Sequence, residues 1–419
     1  MTPFAILVCY MSLAVLDLAW GLFLTALNYR HLARRRDEVP EELRASLGSE
    51  EAGKAASYSM AKMRLSFVSS PIATAIVLAA AASGLFGLLD RFASGLAAEA
   101  YWRGVVFLGL LFAAQSLLGS PISLYATFSL EKRFGFNTTK ARTWLLDRVK
   151  AVLISAVLGL PLLYLLYAFI DGAGPLWWLW AAAIFSIIDL GLGLIYPLVI
   201  APLFNKFTPL PEGSLASRIA ALAKSLDFRV GGIFVMDGSK RSRHSNAYFT
   251  GLGRVKRIVL FDTLVSQMTE DEVLAVLAHE IGHEKRRHVL KGTIVSIALS
   301  FVAFWVLDRF MGWGALYAAF AFAEPSKHAL LLILALVSGP ATFFLAPVFS
   351  AWSRKREYEA DAYAAKAAGA DALSSALVRL NRENASNLWP HPLYSAWYYS
   401  HPSLRERLKA IRRAEREKD

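Results

Sequence analysis

A single cysteine, Cys9, stands in 419 residues. That excludes any disulfide within the chain and any metal site built on thiolates, so a metal here would be held by histidines and carboxylates. Charge is scarce as well. Only 19% of the residues are Asp, Glu, Lys or Arg, against 56% hydrophobic, a balance too apolar for a soluble domain of this length. Acids are the rarer sign, 33 against 45 basic residues, for a net charge of +12. A basic excess can mark a nucleic-acid binder, but no recognition motif accompanies it, which argues against nucleic acid as a partner. In a chain with many apolar runs, basic residues gather instead in cytoplasmic loops. Internal repeats and low-complexity linkers are absent too, which argues against solenoids and disordered arms.

What the chain has in abundance is apolar runs. Seven lie at roughly 4–28, 65–90, 104–128, 151–170, 176–204, 292–312 and 329–352, each near or above the ~20 residues that cross a bilayer. The expected fold is predominantly α, a polytopic protein of seven transmembrane helices in contact with membrane lipids. The first run has no positive stretch before it and no small-residue cleavage site after it, so it reads as an uncleaved anchor. The loops alternate in charge: 29–64 carries eight Lys/Arg, 91–103 only Arg91 and Arg103, 129–150 is basic again, and the DGAG turn at 171–174 has none. Segment 205–291 and the tail from Arg354 are basic, whereas 313–328 holds one lysine. The positive-inside rule then puts the amino terminus outside and both large polar pieces inside.

The domain plan follows. Spans one to five with their loops occupy 1–204, a polar domain begins at 205–291, spans six and seven interrupt it at 292–352, and its second part is 353–419. In the first part SLASRIAALAKSL reads as an amphipathic helix, GGIFVMD and KRIVLFDTLV as strands, and NAYFTGLG as a strand and turn. The second part reads as helix throughout.

Within VLAHEIGHEKRRH, residues 276–288, His279 and His283 are four apart. On a helix they are separated by about 40° and face one metal, while Glu280 can reach a metal-bound water as general base. The competing reading is an ordinary charged helix leading into a span. Against it, Gly282 costs a helix about 1 kcal/mol relative to Ala, which suits a helix that must be closely approached, and the preceding VLAVLA is a buried face. A catalytic Zn2+, one per chain, needs a third protein ligand and an open position for water. His288 lies about 140° from His283 on a continuous helix and should point elsewhere. SRKREYEADAYA, residues 353–364, supplies candidates: Glu357 as third ligand and Asp361, on the same face, to orient an imidazole. Glu359 falls on the opposite side. An even number of crossings separates the two motifs, so both lie on one face of the membrane.

Further candidates are Asn246 in HSNAYFTG, where a strand could bind extended peptide by β-addition, and His401 in YYSHPSLRERL, residues 398–408. Asn246 is equally readable as a turn residue, and His401 either stabilises an oxyanion or sits in a helix-capping loop. Asp189, inside the fifth run, points to a water-filled interior. The remaining His31, His244, His328 and His391 read as loop or interface residues.

With HEIGH, EYEAD and SHPSLRERL in this order, the chain resembles the M48 family of membrane zinc metallopeptidases. FGFN at 134–137, IYPLVIAPLFNKFTPL at 195–210 and VMDGSKRSRHSNAYFTGLG at 235–253 narrow the resemblance to the type I CAAX prenyl protease branch. The resemblance implies a helical barrel of seven spans around a large chamber, with a zincin-type domain carrying a small β element at its cytoplasmic end. It implies zinc on His279, His283 and Glu357, Glu280 as base, and roles at the site for His401 and Arg407. It also implies a polypeptide substrate, which in eukaryotic members is prenylated at a C-terminal cysteine and loses its terminal tripeptide. An Ala/Leu/Arg-rich composition points to a bacterial source and an inner-membrane location; a eukaryotic source would place the chain in an endoplasmic-reticulum-type membrane. Two other functions fit the residues: a quality-control protease acting on misfolded or membrane-inserted chains, and a non-catalytic transporter or lipid-binding chamber with a structural metal.

Overall fold

In the computed structural model, which describes residues 1–250 and 255–416, the apolar runs become long helices. In chain order these are α1 (Pro3–Ala33), α2 (Ser49–Ala82), α3 (Leu85–Leu96), α4 (Ala100–Tyr125), α5 (Ala141–Gly172), α6 (Trp177–Ile195) and the short α7 (Ala201–Phe204). The polar segment contributes α8 (Ser214–Ser225), α9 (Asp262–Gln267) and α10 (Glu270–Lys285). The chain re-enters the apolar region with α11 (His288–Met311), α12 (Gly314–Ala319) and α13 (Lys327–Phe343). It then leaves through α14 (Ala346–Ala368), α15 (Ala370–Glu383), α16 (Pro392–Tyr398) and α17 (Leu404–Arg416).

Among the described residues six stretches are long and apolar enough to span a membrane, and α13 with α14 makes a seventh as a pair bent by 64°. The seventh run expected at 329–352 is present as this bent pair. Pro347, in the first turn of α14, has no N–H to continue the ladder from α13. The second run also differs, ending at Ala82, where Gly84 takes a left-handed φ of +75° and stops the helix as glycine readily does. Residues after it form the amphipathic α3 instead. The 34 residues of α2 rise about 50 Å, more than the ~30 Å of a bilayer core. Its first turns therefore stand among the polar elements. The most apolar windows of the six helices are only 0–17% buried, so most of their apolar surface is left uncovered by the protein itself.

At the end away from the polar domain, three helices are clasped by one acid. Asp90 of α3 accepts from Arg103 of α4 at 2.9 and 2.6 Å and lies 2.8 Å from His328 Nε2 of α13. The polar domain is built on a four-stranded sheet, β1 (Phe207–Pro209), β2 (Arg229–Met236), β3 (Ala247–Thr250) and β4 (Val255–Phe261), in the order β1-β2-β4-β3. β2 and β4 run parallel, the other pairs antiparallel, and β3 forms one edge. All three expected strands and the amphipathic helix at 214–225 are present, but the DTLV of KRIVLFDTLV is the start of α9. The turn expected at GLG falls on residues outside those described. The second part of the domain is not helix throughout: Gly369, with φ +93°, separates α14 from α15, and a segment holding Pro390 and Pro392 follows α15. Ile258, Leu260, Leu264, Val273, Leu277, Leu373 and Leu408 form the domain's core, with α10 running through it.

Gly282 is the point of closest approach between α10 and α14. A Cβ there would lie 3.1 Å from Tyr363 Cβ and 3.2 Å from both Ala360 Cα and its carbonyl oxygen. Gly282→Ala is expected to destabilise the protein by about 1–3 kcal/mol through overpacking. Gly95→Ala, on α3 with nothing within 4 Å of the added carbon, should be neutral or stabilising by up to about 1 kcal/mol. Thermal unfolding midpoints of both variants in one detergent make the comparison.

Candidate metal centre

The start of α10 is fixed by a reciprocal cap: the Glu272 N–H donates to the Thr269 hydroxyl at 3.3 Å, and the Thr269 N–H donates to the Glu272 carboxylate at 2.9 Å. The other Glu272 oxygen accepts from Ser375 of α15 at 2.6 Å. Val273 and residues Ala275 to Ala278 are buried, so the next turn carries His279 and His283 out of the core at a set height and rotation.

There the two Nε2 atoms lie 3.2 Å apart, and each is 3.4 Å from an oxygen of Glu357 on α14. Ligands held about 2.0–2.1 Å from one tetrahedral ion sit about 3.3 Å from each other, so the three donors fit a single zinc-sized ion. A second observation agrees: Glu357 Oε2 is buried and makes no hydrogen bond, a costly state for a carboxylate oxygen unless a cation meets it.

The other nitrogen of each imidazole is tied down. His279 Nδ1 lies 2.9 Å from Asp361 Oδ1, and Asp361 accepts from Arg407 of α17 through Nε at 2.8 Å and again through Nη2. Burial alone would raise the Asp361 carboxyl, but Arg407 and His279 outweigh it and hold it low. Arg407 is thus placed on Asp361 and beside His279 rather than standing free for a substrate.

His283 Nδ1 meets His288 Nδ1 at 3.0 Å, and His288 Nε2 meets Glu359 at 3.0 Å. This corrects the expectation that His288 points away. α10 ends at Lys285, Arg287 adopts a left-handed φ of +56°, and α11 starts at His288, so the ring swings back beside His283. Glu359 was set aside for lying opposite Glu357, and that opposite face is where His288 sits. Nothing in EKRRH announces the left-handed arginine, since glycine or asparagine would be the usual marker.

Glu280, half-buried beside both imidazoles, has its carboxyl raised by burial. Among the described residues it makes no hydrogen bond or ion pair. His401, between α16 and α17, brings Nε2 to 3.4 Å from Glu357 Oε1 with its ring largely open, and Ser400 Oγ lies 2.9 Å from its Nδ1. The cap of α17 is made by Ser403 and Glu406 instead (2.8 Å from the Ser403 N–H to the carboxylate), which leaves His401 free of that duty. Asn246 is not joined to the cluster: it is exposed, and its side-chain oxygen accepts the Ala247 N–H at 2.8 Å, at the head of the edge strand β3. Asp189 is exposed on α6. A cavity of about 660 Å³ opens beside the cluster, with His401 and Arg407 in its wall.

Residues 28–206 match the family model described as the CAAX prenyl protease N-terminal, five membrane helices, and residues 209–415 match peptidase family M48. The chain is 34% identical to a mouse CAAX prenyl protease 1 homolog, over 96% of both chains. It is 35% identical to CAAX prenyl protease 1 of Saccharomyces cerevisiae, over 98% of this chain and 95% of that one. The solved structure of S. mikatae Ste24p superposes with a TM-score of 0.90 at 33% identity, covering 97% of this chain and 99% of that one.

Two outcomes follow for the metal-stripped protein. Burial lowers the His279 pKa, but Asp361 and Glu357 more than reverse this and carry it up to about 9. Below that pH the imidazole holds a proton that an incoming cation must displace. Zn2+ uptake should therefore release about one proton per site from His279 at neutral pH, and apparent affinity should weaken as pH falls, about tenfold per unit. Calorimetry in buffers of different ionisation enthalpy reads both. His288→Ala should weaken Zn2+ binding about 10–100-fold by freeing the His283 ring, measured by competition with a chromogenic chelator.

Proposed function

The chain belongs to the M48 peptidase family, in its CAAX prenyl protease branch, and on that premise we propose that it hydrolyses a peptide bond near the carboxyl end of prenylated CAAX-type proteins with one zinc ion held by His279, His283 and Glu357. It is an integral-membrane metalloendopeptidase with a polypeptide substrate. Bound at that cluster, zinc would supply a Lewis acid for the scissile carbonyl and a water of lowered pKa.

The chain's own residues account for the remaining steps. Glu280 takes the proton of the attacking water and returns it to the leaving amine; burial raises its carboxyl toward the pH at which such a shuttle works in both directions. His401 donates from Nε2 to the oxygen on which negative charge develops. Asp361, clamped by Arg407, holds the His279 ring, and Glu359 holds the His283 ring through His288. β3, at the edge of its sheet, offers backbone to an extended substrate, with Asn246 at its head.

The observation that carries this reading is the convergence of three donors at tetrahedral spacing beside a carboxylate that nothing else engages. A structural metal in a transport chamber would have no use for Glu280. The basic loops favour the cytoplasmic side for this site, and α11 starts at His288 soon after α10, which sets the site next to a membrane-crossing helix. A substrate anchored by its own prenyl group would arrive there, which favours CAAX proteins over misfolded soluble chains. The membrane is the inner membrane for a bacterial chain and of endoplasmic-reticulum type for a eukaryotic one.

Glu280→Gln should lower kcat by about 10²–10⁴-fold while metal content stays at one ion per chain. Peptide cleavage at wild-type rate by this variant would sink the mechanism. Cleavage of a farnesylated reporter should exceed that of its unmodified twin; equal rates would favour the quality-control alternative.

A further inference from the structure

The cavity beside the metal cluster is lined by His401 and Arg407 and also by Tyr58, Lys62, Asn384 and Asn387. Its two cations are in different states. The Arg407 guanidinium is spent on Asp361. Lys62 is exposed to the cavity, and among the described residues no carboxylate lies within ion-pair distance of it. Its ammonium rests 5.0 Å over the ring of Tyr58, whose hydroxyl donates to Glu131 at 2.6 Å. Glu131 feels the lysine only at longer range, and it is already held by Tyr58 and by His244 at 3.7 Å. The ring therefore fixes a cation on the wall without neutralising it.

A second group on this cavity also lacks a partner. Asn387 is nine-tenths buried, and its side-chain oxygen accepts the Trp389 N–H at 2.9 Å, while its amide nitrogen makes no hydrogen bond of ordinary length, the Tyr399 hydroxyl being the acceptor near it. Unmet buried donors are costly and rare, and an acceptor on a bound ligand would remove the cost. An unpaired ammonium and an unmet amide donor on one cavity ask for an anion with two acceptor oxygens. They do not ask for a cation or an apolar chain.

We propose that Lys62, assisted by Asn387, binds the free α-carboxylate at the carboxyl end of the peptide substrate. This rests on the peptidase reading above. An extended segment advances about 3.3 Å per residue, so the carboxylate of a three-residue leaving piece lies about 10 Å beyond the scissile bond. A cavity of this volume falls in the range that holds a small peptide fragment. Lys62 and His401 line the same cavity, so an ammonium that takes only a terminal carboxylate would set how many residues leave. An internal peptide bond offers no charge to pair, so the same contact disfavours cleavage in the middle of a chain.

The test uses four peptides, farnesylated or not, each ending in a carboxylate or an amide, with zinc-loaded wild type, Lys62→Met and Lys62→Arg. Wild type should cleave the acid about tenfold better than the amide in kcat/KM, the worth of one charge-assisted contact. Lys62→Met should bring the acid down to the level of the amide, and Lys62→Arg should keep most of the preference. Equal cleavage of acid and amide by wild type overturns the proposal, as does a Lys62→Met protein that keeps the wild-type ratio. A measurement without any variant adds to this: the tripeptide acid should inhibit wild type about tenfold more strongly than its amide, and equal inhibition also overturns it. The farnesyl comparison is independent. A lost farnesyl preference with an intact acid preference counts against the CAAX reading and not against Lys62.

Discussion

Helix α10 can aim two imidazoles at one point but cannot bring a third ligand to it, so the site depends on how near α14 is allowed to come. Gly282 on one side and the small Ala360 on the other set that distance. At this separation Glu357 reaches both Nε2 atoms and Asp361, one turn further on, reaches the far side of His279. Residues i and i+4 of α14 thus serve both nitrogens of the same ring, one through the ligand position and one from behind. A methyl group between the helices would disturb both contacts at once.

Burying this many charges in one place would be unfavourable without compensation, and the compensation is layered. Asp361 is balanced by Arg407 and His279, and Glu359 by His288. What is left over is Glu357, with one orphan oxygen, and Glu280, with none of its oxygens engaged among the described residues. The surplus of negative charge at the cluster's open side is what a divalent cation and a proton on Glu280 would offset. Two arginines of α14 also have mechanical tasks. Arg356 donates to the carbonyl of His288 at 3.0 Å, and Arg354 donates to the carbonyls of Ser395 and Tyr399 at 3.1 and 2.9 Å. Those contacts fasten the start of α11 and the segment that presents His401 to the same helix.

Much of this was legible in the residues, and the illegible parts have physical reasons. The apolar runs declared the membrane helices because nothing else in a sequence sustains such lengths without charge. The HEIGH and EYEAD spacings placed their side chains correctly because each lies inside one regular helix, where angle follows from count. Errors gathered where a helix stops. His288 was misplaced because Arg287 leaves the helical region without a glycine to mark it, and Glu359 was discarded with it. The bend in the seventh run is not legible because hydropathy measures composition and is blind to a bend, although Pro340 and Pro347 lie within it. Lys62 could not be singled out among 45 basic residues, since what distinguishes it is its place on the wall of the cavity with no ion-pair partner among the described residues, which only the fold reveals.

The two breaks that sequence periodicity missed are the joints that couple the membrane part to the site. One lies between α10 and α11 at Arg286–Arg287, and the other between α13 and α14 at Phe344–Leu345, where the axis turns by 64°. His279 and His283 stand on one side of the first joint, Glu357 on the far side of the second, and two membrane-crossing segments run between them. A straight continuation at either joint would carry the ligand helices away along the membrane normal. Bent, they turn back over the mouth of the barrel and cross each other at Gly282. The spacing of the three donors is therefore tied to the membrane helices: separations of 3.2 to 3.4 Å depend on α11 and α13 keeping their relative height and tilt. The clasp of Asp90 on Arg103 and His328 at the opposite end restrains α13 in that position. In this way contacts at the outer end of the barrel bear on the spacing of ligands at the inner one.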